Sequence, residues 1–556
     1  MGIHELRLSC VLLILVISGP QSGLQHSLPT DPTYNAGVAE FIPPPGEGQP
    51  KARDGLRRVK NIIESNLTSG LDILVFPEYV LNDYSLLTFV PDPALNIAPC
   101  DVPNYDFILT ELSCVARARQ LYLVIHVKEK VYCANDPLGI GHCNVSGINT
   151  YSANVVFDRQ GRVISRYRKT NLFRYEWYSV NVMPQPQLAT FTTDFGVTFG
   201  HFIGSDFLFW QPAQRLVAEL GITDIIYATH WFNELPFLTA VQLQEGWSYA
   251  NDVNLLAADA SEPSGQISGS GIYAGRLGRL KAVIYEEPTT QLLTARVPKK
   301  AYRQSYQVPP VPQSDFAPQV TTPRLTKLDL QRDYNVDIFK TQLLDADFTA
   351  VNVTLCYDNQ FCCHFEAART PISSSRIYAA YRYRLGAYSG SQATVQRLET
   401  AALKVCAVFA CTSAELYSCG RIFPAGVTVA NTHFFSALNV RASFPQAARR
   451  LIMPSSVDGS MLPLPVHMYK WQQVERHNLT DVTIGLLTPK LDLLTFGIWS
   501  NYFLDKVSQH NLDPILSPAQ QSSGAAIAVR GLKLFTNLRS SFQSVMCSPP
   551  PPASQP

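Results

Sequence analysis

A chain of 556 residues is longer than one hydrophobic core usually supports, so two domains are expected. Apolar residues make up 46% of it, enough for folded cores. A formal net charge of +1, with no run of Lys and Arg, leaves nothing to track a phosphate backbone, which excludes nucleic acid as an expected partner. At the start, Arg7 precedes a largely apolar stretch over 8–17, followed by small and turn-forming residues from Ser18 to Gly23. This pattern predicts a secretory signal peptide over 1–23, and its apolar run is too short to span a bilayer. Its removal takes Cys10 and leaves eleven of the twelve cysteines, a count that suits disulfides in an oxidising compartment with one left over. In such a compartment the sequons at Asn66, Asn144, Asn352 and Asn478 are glycan acceptors.

From 30 to 305 short apolar runs alternate with longer amphipathic ones, which predicts an α/β domain. Strands are expected at 71–76, 121–127, 153–157, 197–203, 225–227 and 254–258. Asp158-Arg159-Gln160-Gly161 reads as a hairpin turn before a strand at 162–167. Leu216, Val217 and Leu220 fall at helical spacing between Pro212 and Gly221, which predicts a helix over 212–220. Pro309, Pro310, Pro312, Pro318 and Pro323 forbid helix and place a linker at 306–325. Beyond it, 326–545 carries short alternating segments such as 426–429 and 482–487, the pattern of a mostly β module. The end, 546–556, is proline-rich and polar, without the apolar stretch that a lipid-anchor signal needs, and is expected to be disordered. A soluble secreted protein with no transmembrane span follows.

Three segments stand apart from this scaffold. The apolar run at 71–76 leads into Pro77-Glu78-Tyr79. Arg166-Tyr167-Arg168-Lys169-Thr170-Asn171-Leu172-Phe173 is followed by Glu176. Phe199-Gly200-His201-Phe202-Ile203-Gly204-Ser205-Asp206 ends a strand that a helix follows. Together, in this order, they resemble the vanin and biotinidase branch of the nitrilase, or carbon-nitrogen hydrolase, superfamily. Family members cleave linear amides with a thiol nucleophile, a carboxylate base and a cation that stabilises the oxyanion. The resemblance makes Glu78 the general base, Lys169 the oxyanion cation and Glu176 a second glutamate that keeps Lys169 charged and oriented. It also lays Gly204 on the position of the nucleophilic cysteine, and glycine has no side chain with which to attack.

Ser205 is one step from the vacated position, but a one-residue shift at a strand end points its hydroxyl to the opposite face, so a buried or capping role is expected. His201 is expected to be a partly buried polar residue. Trp231-Phe232-Asn233-Glu234-Leu235-Pro236 and Gly269-Ser270-Gly271-Ile272-Tyr273-Ala274 resemble family segments that wall the substrate pocket. Read without the family, Trp231 and Trp247 are expected to be core rather than pocket. Cys100, Cys114, Cys133, Cys143, Cys356, Cys362, Cys363, Cys406, Cys411 and Cys419 fit family positions, their pairing left open, and Cys547 is expected to be free. No zinc-type spacing of His and Cys occurs, so neither metal nor cofactor is expected.

The fold implied by the resemblance is a nitrilase-like αββα sandwich followed by a smaller β-rich domain stapled by disulfides. The implied function is that of a secreted linear-amide hydrolase relative without its nucleophile, left with a binding or structural role and a small amide or carboxylate as ligand. The alternative is an active amidohydrolase on pantetheine- or biotinamide-like amides, using Ser205.

Overall fold

The structure is a computed structural model. It describes residues 26–503 apart from 137–142, 174–175, 177–178, 182, 184, 307–324, 326, 372–378, 394–399 and 430–432. The expected signal peptide, nearly all of the proline-rich linker and the tail with Cys547 lie outside the described residues.

The amino-terminal half is built from strands β1 (Thr33–Glu40), β2 (Ile73–Val75), β3 (Thr88–Phe89), β4 (Tyr122–Tyr132), β5 (Ile148–Phe157), β6 (Val163–Arg168), β7 (Thr190–Thr192), β8 (Thr198–Ile203), β9 (Asp224–Thr229), β10 (Glu234–Leu235), β11 (Asn254–Asp259), β12 (Ser270–Ala274), β13 (Arg279–Val283) and β14 (Gln291–Pro298). Helices α1 (Gly48–Ile63), α2 (Phe107–Arg119), α3 (Arg215–Ala218) and α4 (Ala240–Asn251) accompany them. One sheet runs β14-β1-β2-β4-β5-β6 with β3 beside β4, and the other runs β13-β12-β11-β9-β8-β7.

Alternation along single strands explains why the two sheets stack and why helices cover them. In β4, Leu123, Ile125 and Val127 join the core under α1 and α2, while Tyr122 and Val124 join the core between the sheets. Strand β11 does the same on the other side, with Leu256 and Ala258 facing the first sheet and Leu255 and Ala257 facing α4 and its neighbours. A period of two forces this division, and a strand apolar at every position has to be covered on both faces. Helix α1 buries Ala52, Leu56, Val59 and Ile63, one stripe at helical spacing. The Asp106 side chain accepts the Ile108 and Leu109 amides at the start of α2. The result is the expected αββα sandwich.

Strands β1, β2 and β4 are parallel to one another, as are β8, β9 and β11, so their carboxy-terminal ends gather at one edge of each sheet. The sheets are tied there by the Phe41 amide to the Asp259 carbonyl at 3.3 Å and the Ser261 amide to the Phe41 carbonyl at 2.8 Å.

The carboxy-terminal half holds β15 (Gln331–Arg332), β16 (Lys340–Leu343), β17 (Ala350–Tyr357), β18 (Phe361–Pro371), β19 (Arg382–Ala393), β20 (Thr400–Cys411), β21 (His433–Pro445), β22 (Arg450–Asp458), β23 (Tyr469–Arg476), β24 (Leu479–Leu486) and β25 (Leu493–Phe503). They form two five-stranded antiparallel sheets, β16-β19-β20-β25-β22 and β17-β18-β21-β24-β23, around an apolar core that includes Phe365, Val408, Val440 and Ile484. Disulfides join Cys356 to Cys362, Cys363 to Cys406 and Cys411 to Cys419; Cys100–Cys114 and Cys133–Cys143 staple the first half. All ten family-like cysteines are therefore paired.

The halves share a core in which Phe237 and Trp247 pack with Phe409 and Met453. Hydrogen bonds from Gln242 Nε2 to Ser455 Oγ and from Thr495 Oγ1 to the Pro236 carbonyl, both 2.8 Å, add register to that contact.

Two expected elements differ. Residues 426–429 are not a strand: the chain turns at 425–426, with Gly426 at φ +85°, and within 426–429 only Val429 makes a bridge, to Ala379. The stretch 212–220 begins as a wide turn over Trp210–Gln214, leaving α3 as the only regular α-helix there.

Candidate functional site

The site lies at the joined strand ends. After β2 the chain passes through Phe76 and Pro77 to Glu78, whose amide donates across to the Thr229 carbonyl at the end of β9, at 3.2 Å. After β6, the Lys169 amide is held by the Ser152 carbonyl of β5 at 2.8 Å. The Lys169 ammonium meets Glu78 Oε1 at 2.9 Å and Glu176 Oε2 at 2.9 Å. All three side chains are buried. The structure thus brings together the three charged residues that the sequence singles out.

Their protonation follows from burial set against mutual attraction. Burial raises the Glu78 carboxyl above its ordinary range, opposed mainly by Lys169. Burial would also raise Glu176, but Lys169, Lys128 and a 2.6 Å bond from the Tyr79 hydroxyl outweigh it and hold the group at about 2. For Lys169 burial favours the neutral amine, and the two carboxylates overcome it and push its pKa up. Lys169 stays an ammonium and Glu176 its fixed counter-ion.

Gly204 follows β8 at φ +50°, a left-handed conformation that glycine adopts without penalty, and begins a tight turn over Gly204–Leu208. A Cβ at this position would lie 2.6 Å from Glu78 Oε2 and 2.8 Å from Lys169 Nζ. The carboxylate and the ammonium therefore lie against the glycine, in the space that any side chain there would enter. Tyr227 donates its hydroxyl to the Gly204 carbonyl at 3.0 Å. The Ser205 hydroxyl donates to the Asn171 carbonyl. Asp206 ties the turn down: it accepts the Asn171 amide at 2.8 Å, Asn171 Nδ2 at 2.9 Å and the Tyr167 hydroxyl at 2.7 Å, while burial raises its carboxyl to about 6. This is why the segment 167–171 and the segment 203–206 arrive at one place.

Other expected residues sit further out. His201 is fully buried rather than partly so, bonded to Ser165 Oγ at 2.8 Å, and burial lowers its pKa to about 3, which makes it core. Trp247 packs on Phe202 and Phe207 in the core. The Trp231 indole donates to the Leu238 carbonyl. Tyr79, His230, Phe232 and Phe173 form a file of rings, 5.4, 6.0 and 5.6 Å between successive centroids, leading from the buried pair to the half-exposed Phe173. The asparagines of the four sequons are exposed. Among the described residues, no helix is long and apolar enough to cross a membrane.

Sequence reasoning missed Lys128, Tyr79, His126 and Ser152. Lys128 Nζ lies 3.1 Å from Ser152 Oγ, 3.8 Å from Glu176 Oε1 and 4.0 Å from the Tyr79 ring centroid. The Tyr79 amide donates to His126 Nδ1 at 3.2 Å, so Nε2 carries the imidazole proton and donates to Ser152 Oγ at 2.7 Å. Burial, reinforced by Lys128 and Lys169, keeps His126 well below its ordinary pKa. The signal was present in β4: Tyr122, Val124, His126 and Lys128 share one face, and that face changes from apolar to basic as the strand nears the site.

The arrangement offers a buried acceptor and a buried donor side by side, with no thiol between them. A family model described as carbon-nitrogen hydrolase matches residues 44–242, and one described as the vanin C-terminal domain matches 328–506. The matches define a member of the carbon-nitrogen hydrolase family carrying a vanin-type carboxy-terminal domain. Vanin-like protein 2 of Drosophila melanogaster is 39% identical over 517 residues, covering 89% of this chain and 94% of its own. The pantetheinase of Canis lupus familiaris is 30% identical over 402 residues, covering 67% and 71%. The chain belongs to the vanin-like family of carbon-nitrogen hydrolases. Among solved structures, an amidase of Nesterenkonia AN1 from the nitrilase superfamily aligns with 17% identity over 50% of this chain and 95% of its own, with a TM-score of 0.36.

Proposed function

We propose that this chain is a secreted vanin-like relative of the amide hydrolases that no longer cleaves amides and acts by binding or as a structural protein outside the cell. The observation that carries the proposal is that Gly204, which the family resemblance lays on the nucleophile's position, lies against Glu78 Oε2 and Lys169 Nζ. Base and cation remain, the nucleophile does not, and loss of a nucleophile costs on the order of a millionfold in turnover in other covalent hydrolases. The Ser205 hydroxyl is engaged with the Asn171 carbonyl, which speaks against its acting as a substitute. The retained Lys169 ammonium and Glu78 carboxyl suit a small polar ligand such as an amide. Support for export comes from the apolar leader, five disulfides and four exposed sequon asparagines.

Because relatives include pantetheinases, purified protein is incubated with pantetheine and with biotinyl amides. The expected result is no turnover above buffer and no acyl adduct on the intact chain by mass spectrometry. Turnover that survives thiol alkylation and disappears in Ser205→Ala would reinstate the enzyme. Release of the same amides by the Gly204→Cys variant of a silent protein would support the lost-nucleophile reading directly.

A further inference from the structure

Lys128 is not needed by the chemistry outlined above, yet it is wholly buried beside it. Its ammonium lies 4.0 Å from the centroid of the Tyr79 ring and 4.8 Å from that of Tyr84, with Glu176 Oε1 at 3.8 Å and Ser152 Oγ at 3.1 Å. Two aromatic rings, a carboxylate and a hydroxyl around one nitrogen are the parts of an ammonium-binding cage. Tyr79 helps build it at a cost, since it is a non-glycine residue at φ +63°, a conformation that the surrounding structure has to enforce. Its hydroxyl binds Glu176 at 2.6 Å and its amide binds His126, so ring, carboxylate and cation are locked as one unit.

We propose that Lys128 is a built-in occupant of a cation cage beside the Glu78–Lys169–Glu176 chain, and that it sets specificity by excluding cationic ligands from the site and leaving room only for neutral ones. With Lys128 in place, two carboxylates face two ammonium groups and the cluster is neutral. An incoming ammonium finds its cage filled, and an incoming carboxylate adds a third negative charge next to Glu78 and Glu176. A buried amine whose burial drives its pKa down to about 8 is also a poor choice for stability alone, which favours a role in recognition. The inference rests on the proposed reading of this region as a ligand site. Amidase turnover would overturn the loss of catalysis while leaving the cage untouched, so the two failures are separable.

Lys128→Ala removes a fragment equivalent to n-propylammonium, which is therefore the probe, with 1-propanol as the neutral molecule of matching size. In the full chain carrying K128A, n-propylammonium at tens of millimolar is expected to raise Tm by about 1–3 °C while 1-propanol does not, and the wild type responds to neither. Equal effects of amine and alcohol would reduce the cage to a void, and an equal response in the wild type would place binding elsewhere; either overturns the proposal, as does no response in folded K128A. Lys128→Ser carries the same test should K128A fail to fold. In the wild type, ring currents from Tyr79 and Tyr84 are expected to shift the Lys128 ε-methylene protons upfield in NMR spectra and Tyr79→Leu to abolish the shift; an unshifted signal overturns the proposal without any variant.

Discussion

Placing a methyl group on Gly204 tests the central feature of the site. Gly204→Ala forces an L side chain into φ +50°, which costs about 1–2 kcal/mol. It also sets a Cβ 2.6 Å from Glu78 Oε2 and 2.8 Å from Lys169 Nζ, closer than carbon approaches either atom. Both are ends of flexible side chains, but both are buried and paired at 2.9 Å, so moving them stretches an ion pair with no water to replace it. A partial loss of such a pair adds about 1–2 kcal/mol, less than the 3–5 kcal/mol of removing one partner. The sum, about 2–4 kcal/mol, corresponds to a fall in Tm of about 5–15 °C for domains of this size. Gly221 supplies the internal standard. It sits at φ +66° with no heavy atom within 4 Å of a would-be Cβ, so Gly221→Ala reports the backbone cost alone. Calorimetry and urea unfolding of both variants measure the difference, which is the crowding by Glu78 and Lys169. If G204A is no more costly than G221A, those groups do not occupy the space beside the glycine, and the argument for a filled nucleophile position is wrong.

Lys169→Met leaves Glu78 and Glu176 buried without their shared cation and is expected to cost about 3–5 kcal/mol in urea unfolding at neutral pH. Glu176, held at about 2, contributes stability that is complete above its unfolded pKa of about 4.3 and is lost as pH falls towards 2; the gap between wild type and Glu176→Gln should close over that window in pH-dependent unfolding. Lys128 gives the same direction at higher pH, since its pKa too is lowered on folding. Burial depresses its pKa to about 8 despite Glu176 and Glu78, with Lys169 and Lys51 adding to the depression, so between pH 8 and about 10.4 the unfolded chain holds a proton that the folded one has released and folding gains with rising pH. Relative to Lys128→Met, the wild type should improve by up to about 3 kcal/mol across that window, and a flat difference would refute the depressed amine. Loss of Cys363–Cys406, with its separation of 43 residues, should cost about 4 kcal/mol and loss of Cys356–Cys362, with a separation of 6, about 2 kcal/mol, read as midpoints in denaturant for the paired serine variants.

The amino-acid sequence by itself determined most of the local segments, though not the short ones at 426–429 and 212–220. Short apolar runs marked the strands at 121–127 and 254–258, and the Pro77-Glu78 and Lys169 to Glu176 segments carried recognisable chemistry, because such features depend on neighbours only a few residues away. The glycine at 204 was equally local. Lys128 escaped notice because a lysine inside an apolar strand reads as an edge residue until the opposite sheet is present to bury it. Disulfide pairing was likewise closed to the sequence, since spacing alone does not say which strands meet.

Only the tertiary structure decided that Glu78 and Lys169, 91 residues apart, form a 2.9 Å pair lying against Gly204, and that Ser205 spends its hydroxyl on Asn171. The physical reason is that parallel strands pair through long crossover connections, so the side chains at their ends come together by sheet order and not by separation along the chain. Burial then sets their charges, and burial belongs to the folded whole.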